Sequence, residues 1–423
     1  MPIKEKNKIK TLLFNVSGVW VSEALTLIIL FLIQMTSAKF LGPIDYGLFA
    51  ALNSITTVFT ALSHGIRVAF ARTIADNLLR EVRVPFYLSA MRLPIIGGFV
   101  TALLLIIVAP LIFNVLDFSK YQFVFLIALN FPVVILVVIL MGVMQGSQNF
   151  KFYSFVIVLQ SITRLIFVLI GLVLKFGVGG LLWAILLSNA LTAAVACFLC
   201  IGTIKSYKYH ESFSAYKNTN IGHAPFLIVA LIISMHASVD VFLARQAFGQ
   251  SAGNYAMIAL ISKVVLYAPM GIVFVSFPKI VLVRTNIDRV REMFFTTIAI
   301  SCLVSIFMTL MILGGIEVMV DLIYGPLFQL NKSAVFLYCL GMIFLGLSHQ
   351  VFSLILALSG NNRFIYQSAF LFVFGFIVMG MFARSEFSMS GFILFINVIV
   401  FLQLCPSVFK ILRTGKVSLR KTD

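Results

Sequence analysis

Residues 205–223 read KSYKYHESFSAYKNTNIGH, the longest polar stretch in a chain of 423 residues. The chain as a whole is 61% hydrophobic and 11% charged, where a water-facing domain carries about 25% charged residues. A folded surface facing water would need several times more Lys, Arg, Asp and Glu. A soluble enzyme, a secreted domain and a disordered chain are excluded, and lipid is the solvent for most of the molecule.

On either side of this stretch the sequence breaks into apolar runs, each long enough to cross a bilayer. A crossing helix needs about 20 such residues. Before the stretch lie 12–37, 46–70, 86–113, 121–145, 153–174 and 181–204; after it lie 224–246, 254–278, 294–316, 333–358, 364–383 and 389–411. The run from Thr11 to Ala38 is too long for the core of a cleaved leader and lacks a small-x-small exit, so it is expected to be the first span. Continuous Leu, Ile and Phe without ten-residue alternation argues against a β-barrel. The expected fold is an all-α integral membrane protein, with twelve transmembrane helices in two six-helix bundles around a central cleft. The bundles are 1–204 and 224–423, joined by a cytoplasmic linker over 205–223.

Two motifs recur in corresponding places of the halves. Gly146-x-x-x-Phe150-x-Phe152-x-Ser154 returns as Gly360-x-x-x-Phe364-x-Tyr366-x-Ser368, and Leu41-Gly42-Pro43-Ile44-Asp45-Tyr46-Gly47-Leu48-Phe49 aligns, with one gap, to Phe248-Gly249-Gln250-Ser251-Ala252-Gly253-Asn254-Tyr255. Six spans per half make the halves parallel repeats, an arrangement suited to a transporter.

The formal charge of +17 follows chiefly from topology. With the N-terminus inside, 21 of the 31 Lys and Arg fall on the cytoplasmic side, among them Lys4, Arg80, Lys208, Arg284 and Lys410, and six on the other. That asymmetry places both termini in the cytoplasm and needs no nucleic-acid partner. Four cations remain in or beside spans: Arg67, Arg92, Arg164 and Lys263.

An ionisable group at the bilayer centre costs roughly 2.5–3.5 kcal/mol on insertion scales, so its presence points to a cavity, a partner or a function. In the second span Asn53, Thr57, Thr60, His64 and Arg67 recur at intervals of 4, 3, 4 and 3, one helical stripe that should face water. The first span adds Glu23, Thr26, Gln34 and Ser37 on one arc, and the fifth adds Ser161, Arg164 and Lys175. The seventh carries His236 and Asp240 at i, i+4, and the eighth Lys263 with Tyr267 one turn later. Arg92 lies near a cytoplasmic span end, where it can also snorkel to the headgroups. A cleft lined this way is cationic on balance and suits an anionic cargo: Arg67, Arg164, Lys263, His64, Asn53 and Arg92 are the candidate substrate contacts. Arginine forks match phosphate oxygens and stay charged in a low dielectric. Glu23, Asp240 and His236 are the candidates for ion coupling. Phosphate-cradling loop, paired metal-ligand helix and nucleophile elbow are all missing from the sequence, so no enzyme, metal or cofactor is expected. Cys197, Cys200, Cys302, Cys339 and Cys405 all lie in apolar runs, and Cys197-x-x-Cys200 reads as helix filler.

With twelve spans in two halves, Leu41-Gly42-Pro43-x-Asp45-Tyr46-Gly47, Gly65-x-Arg67 and Gln145-Gly146-x-x-x-Phe150, the chain resembles the multidrug/oligosaccharidyl-lipid/polysaccharide exporter superfamily. Within it the chain is most similar to the bacterial polysaccharide (O-antigen, Wzx-type) flippases. The resemblance implies transfer of an undecaprenyl-pyrophosphate-linked oligosaccharide repeat unit, as for O-antigen lipopolysaccharide, from the cytoplasmic to the periplasmic leaflet of a bacterial inner membrane. It implies as partners that lipid-linked substrate, bilayer lipids and a polysaccharide polymerase complex, and it sets Arg67 against the pyrophosphate. A carboxylate in the first helix, here Glu23, is also what cation-coupled multidrug exporters of the superfamily carry, which makes drug–cation antiport the alternative.

Overall fold

The computed structural model describes residues 2–79, 85–116, 121–147, 149–205, 238–269, 272, 287–358 and 388–413, with scattered positions between 370 and 378. Their regular structure is helical throughout. Among the described residues five helices are long and apolar enough to cross a membrane: Val21–Val58, Tyr121–Gly146, Phe150–Val173, Gly177–Cys200 and Glu292–Tyr324. The protein is therefore a multi-pass membrane protein, held by intrahelical backbone bonds that lipid cannot replace. The chain divides into two compact units, Met1–Ala230 and Leu231–Asp423.

In the first unit α1 (Pro2–Leu79) carries the first two expected spans and is interrupted at Gly42, whose φ of 71° and ψ of 175° break the helix just before Pro43. Four helices follow: α2 (Pro85–Leu116), α3 (Tyr121–Gly146), α4 (Phe150–Val173) and α5 (Gly177–Lys205). Helix α3 is the most enclosed, packed on α1, α2 and α5. Its Val137, Leu140 and Met144 pack with Tyr153 and Val156 of α4 and Ala196 and Cys200 of α5. The Cys200 Sγ donates to the Leu140 carbonyl at 3.8 Å, a thiol inside a core, and Cys197, Cys302 and Cys339 are also free. The expected arc of Ser161, Arg164 and Lys175 is corrected in one place. Helix α4 closes at Leu174, and Lys175 sits past it with a φ of 57°, exposed.

The second unit contains α6 (Val239–Phe248), α7 (Ala252–Tyr267), α8 (Ile287–Met319, ending in a π turn over Val320–Tyr324), α9 (Lys332–Leu358) and α10 (Met389–Arg413). Helix α7 packs on α6, α8 and α9, and α9 on α10. Gly249, between α6 and α7, has a φ of 52°. It aligns with Gly42 in the repeated motif, and at both places the chain leaves one helix for the next through a backbone conformation that only glycine adopts cheaply. The counterpart of the other motif, at 360–368, lies outside the described residues.

Several hydroxyls inside the spans are satisfied by their own helices. Ser37 donates to the Ile33 carbonyl at 2.7 Å, Thr192 to Ser188 at 2.7 Å and Thr309 to Ser305 at 2.9 Å. Side chains that bond across helices therefore stand out from this background.

Candidate functional site

The principal cross-helix cluster of the first unit joins three residues from both arms of α1 and from α4. Arg67 Nη1 donates to the Tyr153 hydroxyl at 2.5 Å, and that hydroxyl donates to Glu23 Oε1 at 3.1 Å. The guanidinium also lies 5.6 Å from the centroid of the Tyr153 ring, within cation–π range. Tyr153 is 4% exposed, whereas Glu23 and Arg67 are half-buried. The Arg67 Nε is buried without a hydrogen-bond partner among the described residues. Two residues expected to do separate work, Glu23 for ion coupling and Arg67 for substrate, are thus connected through one phenol.

Arg164 lies eleven residues after Tyr153, on the same face of α4 and roughly 16 Å along its axis. Its Nη2 donates to Asn189 Oδ1 at 3.1 Å, and Gln160 Nε2 donates to the same oxygen at 2.8 Å. Asn189 Nδ2 passes the chain on to Asn130 Oδ1 at 2.8 Å. Asn130 and Asn189 are fully buried, so α3, α4 and α5 are pinned together by amides with a guanidinium at one end. Beside them Thr26 of α1 meets Ser161 of α4, hydroxyl to hydroxyl, at 3.4 Å. Arg67, bound at Tyr153, and Arg164 thus meet α4 at positions about three turns apart.

The second unit centres on Asp240, 1% exposed. Its Oδ2 accepts from the Tyr255 hydroxyl at 3.0 Å and, in a short bond, from the Tyr338 hydroxyl. Both rings pack edge-on against each other and, with Phe248 and Phe392, close an aromatic wall around the carboxylate. Asp240 Oδ1 has no hydrogen-bond partner among the described residues. Lys263, half-buried one helix away, interacts with the Asp240 charge.

Of the other expected contacts, Asn53 is half-buried and its backbone carbonyl accepts from Thr57 Oγ1 at 3.0 Å. It stands fourteen residues before Arg67, roughly 21 Å along α1. The side chains of His64 and Arg92, the residue His236 and linker positions 206–223 lie outside the described residues. No group of three or more His, Cys, Asp or Glu suited to a metal ion occurs among those described.

Tyr153, Asn130, Asn189, Tyr255 and Tyr338 are absent from the sequence-derived set. The asparagines carried a legible signal, being amides within apolar runs. Tyr153 did not: a tyrosine in the first turn of a span reads as an interfacial belt residue, and it occupies an unassigned position within the repeated Phe150-x-Phe152-x-Ser154 motif.

Solved structures of membrane transporters are similar to this chain in fold. A multidrug resistance MATE family transporter in an inward-facing conformation is 15% identical, with a TM-score of 0.75 over 95% of this chain and 99% of that one. The lipid II flippase MurJ is 13% identical, with a TM-score of 0.72 over 94% of this chain and 87% of its own. A MATE transporter of Vibrio cholerae is 12% identical, with a TM-score of 0.66 over 94% and 95%. Identities this low establish the fold alone. Sequence establishes the family: residues 37–330 match the model of the polysaccharide biosynthesis proteins. The chain belongs to that family, and in fold it is similar to a solved transporter of the multidrug/oligosaccharidyl-lipid/polysaccharide exporter superfamily. No curated protein matches the sequence.

Proposed function

We propose that the protein is a flippase for an undecaprenyl-pyrophosphate-linked oligosaccharide of O-antigen type, moving it from the cytoplasmic to the periplasmic leaflet of a bacterial inner membrane. Twelve spans in two six-helix halves around a central cleft rock in alternating access, with both termini in the cytoplasm, and the polyprenyl tail stays in lipid. The observation that carries this reading is Arg67: a half-buried guanidinium inside a membrane fold, bound among the described residues by one neutral hydroxyl and with its Nε unpartnered there. A phosphate anion is the ligand such a fork lacks. Membership of a polysaccharide biosynthesis family and likeness in fold to a lipid II flippase support a lipid-linked sugar over a free one.

Arg164 and Lys263 serve as further stations for the headgroup or an acidic sugar, with Asn53, His64 and Arg92 along the same path. Asp240, with His236, and Glu23 are the groups through which an ion would couple. Coupling is not required thermodynamically: a headgroup of charge near −2 leaving across about 100 mV gains roughly 4–5 kcal/mol. A polymerase complex receiving the product is the expected partner. Cation-coupled drug export, the second reading, has the MATE fold in its favour but not the family. In cells deleted for the flippase, Arg67→Ala should cut surface polysaccharide at least tenfold while Arg67→Lys retains part of it. Undiminished polysaccharide with Arg67→Ala would remove the basis of this reading.

A further inference from the structure

We propose that Tyr153 is a positioning residue: a one-hydroxyl spacer that stops Glu23 and Arg67 from neutralising each other and so keeps Arg67 open to the lipid diphosphate. The proposal rests on the reading of Arg67 as the diphosphate contact.

A phenol has one proton to give. At Tyr153 that proton goes to Glu23 Oε1 at 3.1 Å, and the oxygen accepts from Arg67 Nη1 at 2.5 Å, so the chain of bonds runs one way, from guanidinium through hydroxyl to carboxylate. The middle member is fixed, with 4% exposure, in the packed core of α3, α4 and α5. The two ends are half-buried, not enclosed in the core as Tyr153 is. Without the hydroxyl nothing would separate two opposite charges on neighbouring arms of α1, and in a low dielectric they would close into a bidentate pair. Such a pair would occupy the whole fork of Arg67.

As built, Tyr153 occupies one of the five guanidinium N–H groups, and Nε has no partner among the described residues. A diphosphate presents several charged oxygens and displaces a neutral hydroxyl readily, whereas it would have to compete with a carboxylate on equal terms. Glu23 stays on Tyr153 when Arg67 turns to the ligand, and its negative charge beside the site limits how tightly the diphosphate is held, which favours release. Tyr153 therefore sets both capture and letting go without touching the substrate.

Purified full-length protein in nanodiscs, titrated with undecaprenyl diphosphate, tests this through four variants and a double-mutant cycle. Arg67→Ala should lose at least tenfold in affinity. Glu23→Gln should bind severalfold more tightly. Tyr153→Phe, isosteric but lacking the spacer, should bind about tenfold more weakly, because Glu23 then closes on Arg67. Adding Glu23→Gln to Tyr153→Phe should bring affinity up to that of Glu23→Gln alone, severalfold tighter than the wild type, so that Glu23→Gln gains tens of fold in the Tyr153→Phe background against severalfold in the wild type. That rescue is the signature of a spacer. Were Tyr153 only a packing residue, Glu23→Gln would change affinity by the same factor with or without Tyr153→Phe, and the proposal would be overturned with the Arg67 reading intact. Unchanged affinity in Arg67→Ala overturns both. Because the rescue compares two proteins that share the Tyr153→Phe change, a general loss of stability in that background cannot imitate it.

Discussion

Glu23 and Asp240 are each gripped by tyrosine hydroxyls, and they differ in what lies beyond the tyrosine. In the first unit a single phenol carries the bond onward to Arg67, and both charged ends are half-buried. In the second unit two phenols end on one Asp240 oxygen inside an aromatic wall, and the other oxygen is left without a partner. The same pair of residue types thus gives two different devices. One is a carboxylate balanced through a hydroxyl against a guanidinium. The other is a buried carboxylate whose donors among the described residues are neutral hydroxyls, with Lys263 nearby.

The sharpest way to break this contrast is to delete each carboxylate. Asp240→Ala strands two buried hydroxyls and should cost about 2–4 kcal/mol, seen as a fall in the melting temperature of the purified protein, with Asp240→Asn costing less because it keeps an acceptor. Glu23→Ala should cost under half as much, since the Tyr153 hydroxyl there retains Arg67. Equal losses would mean that burial does not distinguish the two centres. A smaller effect than at Asp240 is expected at Asn189→Ala in the first unit. It removes the shared acceptor of Gln160 and Arg164 and the donor to Asn130, worth about 2–3 kcal/mol given that interhelical bonds in membranes average well under 1 kcal/mol each and charged ones more. The melting shift should come with weaker protection of α3–α5 amides from hydrogen exchange. Smallest of all is Lys332→Ala. Lys332 Nζ lies 2.6 Å from Glu317, but both side chains are largely exposed, at 60% and 67%, so the change should stay below about 1 kcal/mol and vanish in high salt. An exposed pair that mattered as much as the buried carboxylate would undo the ranking.

Much of this was legible along the chain. Arg67, Glu23 and Asp240 were identifiable as ionisable groups within apolar runs, because each is anomalous against its own neighbours. Gly42 and Gly249 were identifiable as a repeated pair, and both take the left-handed backbone that such a turn requires. Lys175 was misplaced by extending the period of α4 past its end, where Leu174 closes the helix. Arg164 was identified as a cation in a span but not as the end of an amide chain. Its partner Asn189 is 25 residues away on another helix, and no periodicity links the two.

The amino-acid order by itself determined that lipid is the solvent, that continuous apolar runs cross it as helices, and which few side chains are too polar to be there without a reason. Hydropathy and helical period are properties of one segment at a time, and one segment suffices to read them. Only the tertiary structure decided that Tyr153 stands between Arg67, 86 residues before it, and Glu23, 130 residues before it, and that two tyrosines converge on Asp240 from different helices. Those meetings depend on how helices pack, where a rotation of a few tens of degrees about an axis exchanges one neighbour for another, and a linear pattern holds no record of it.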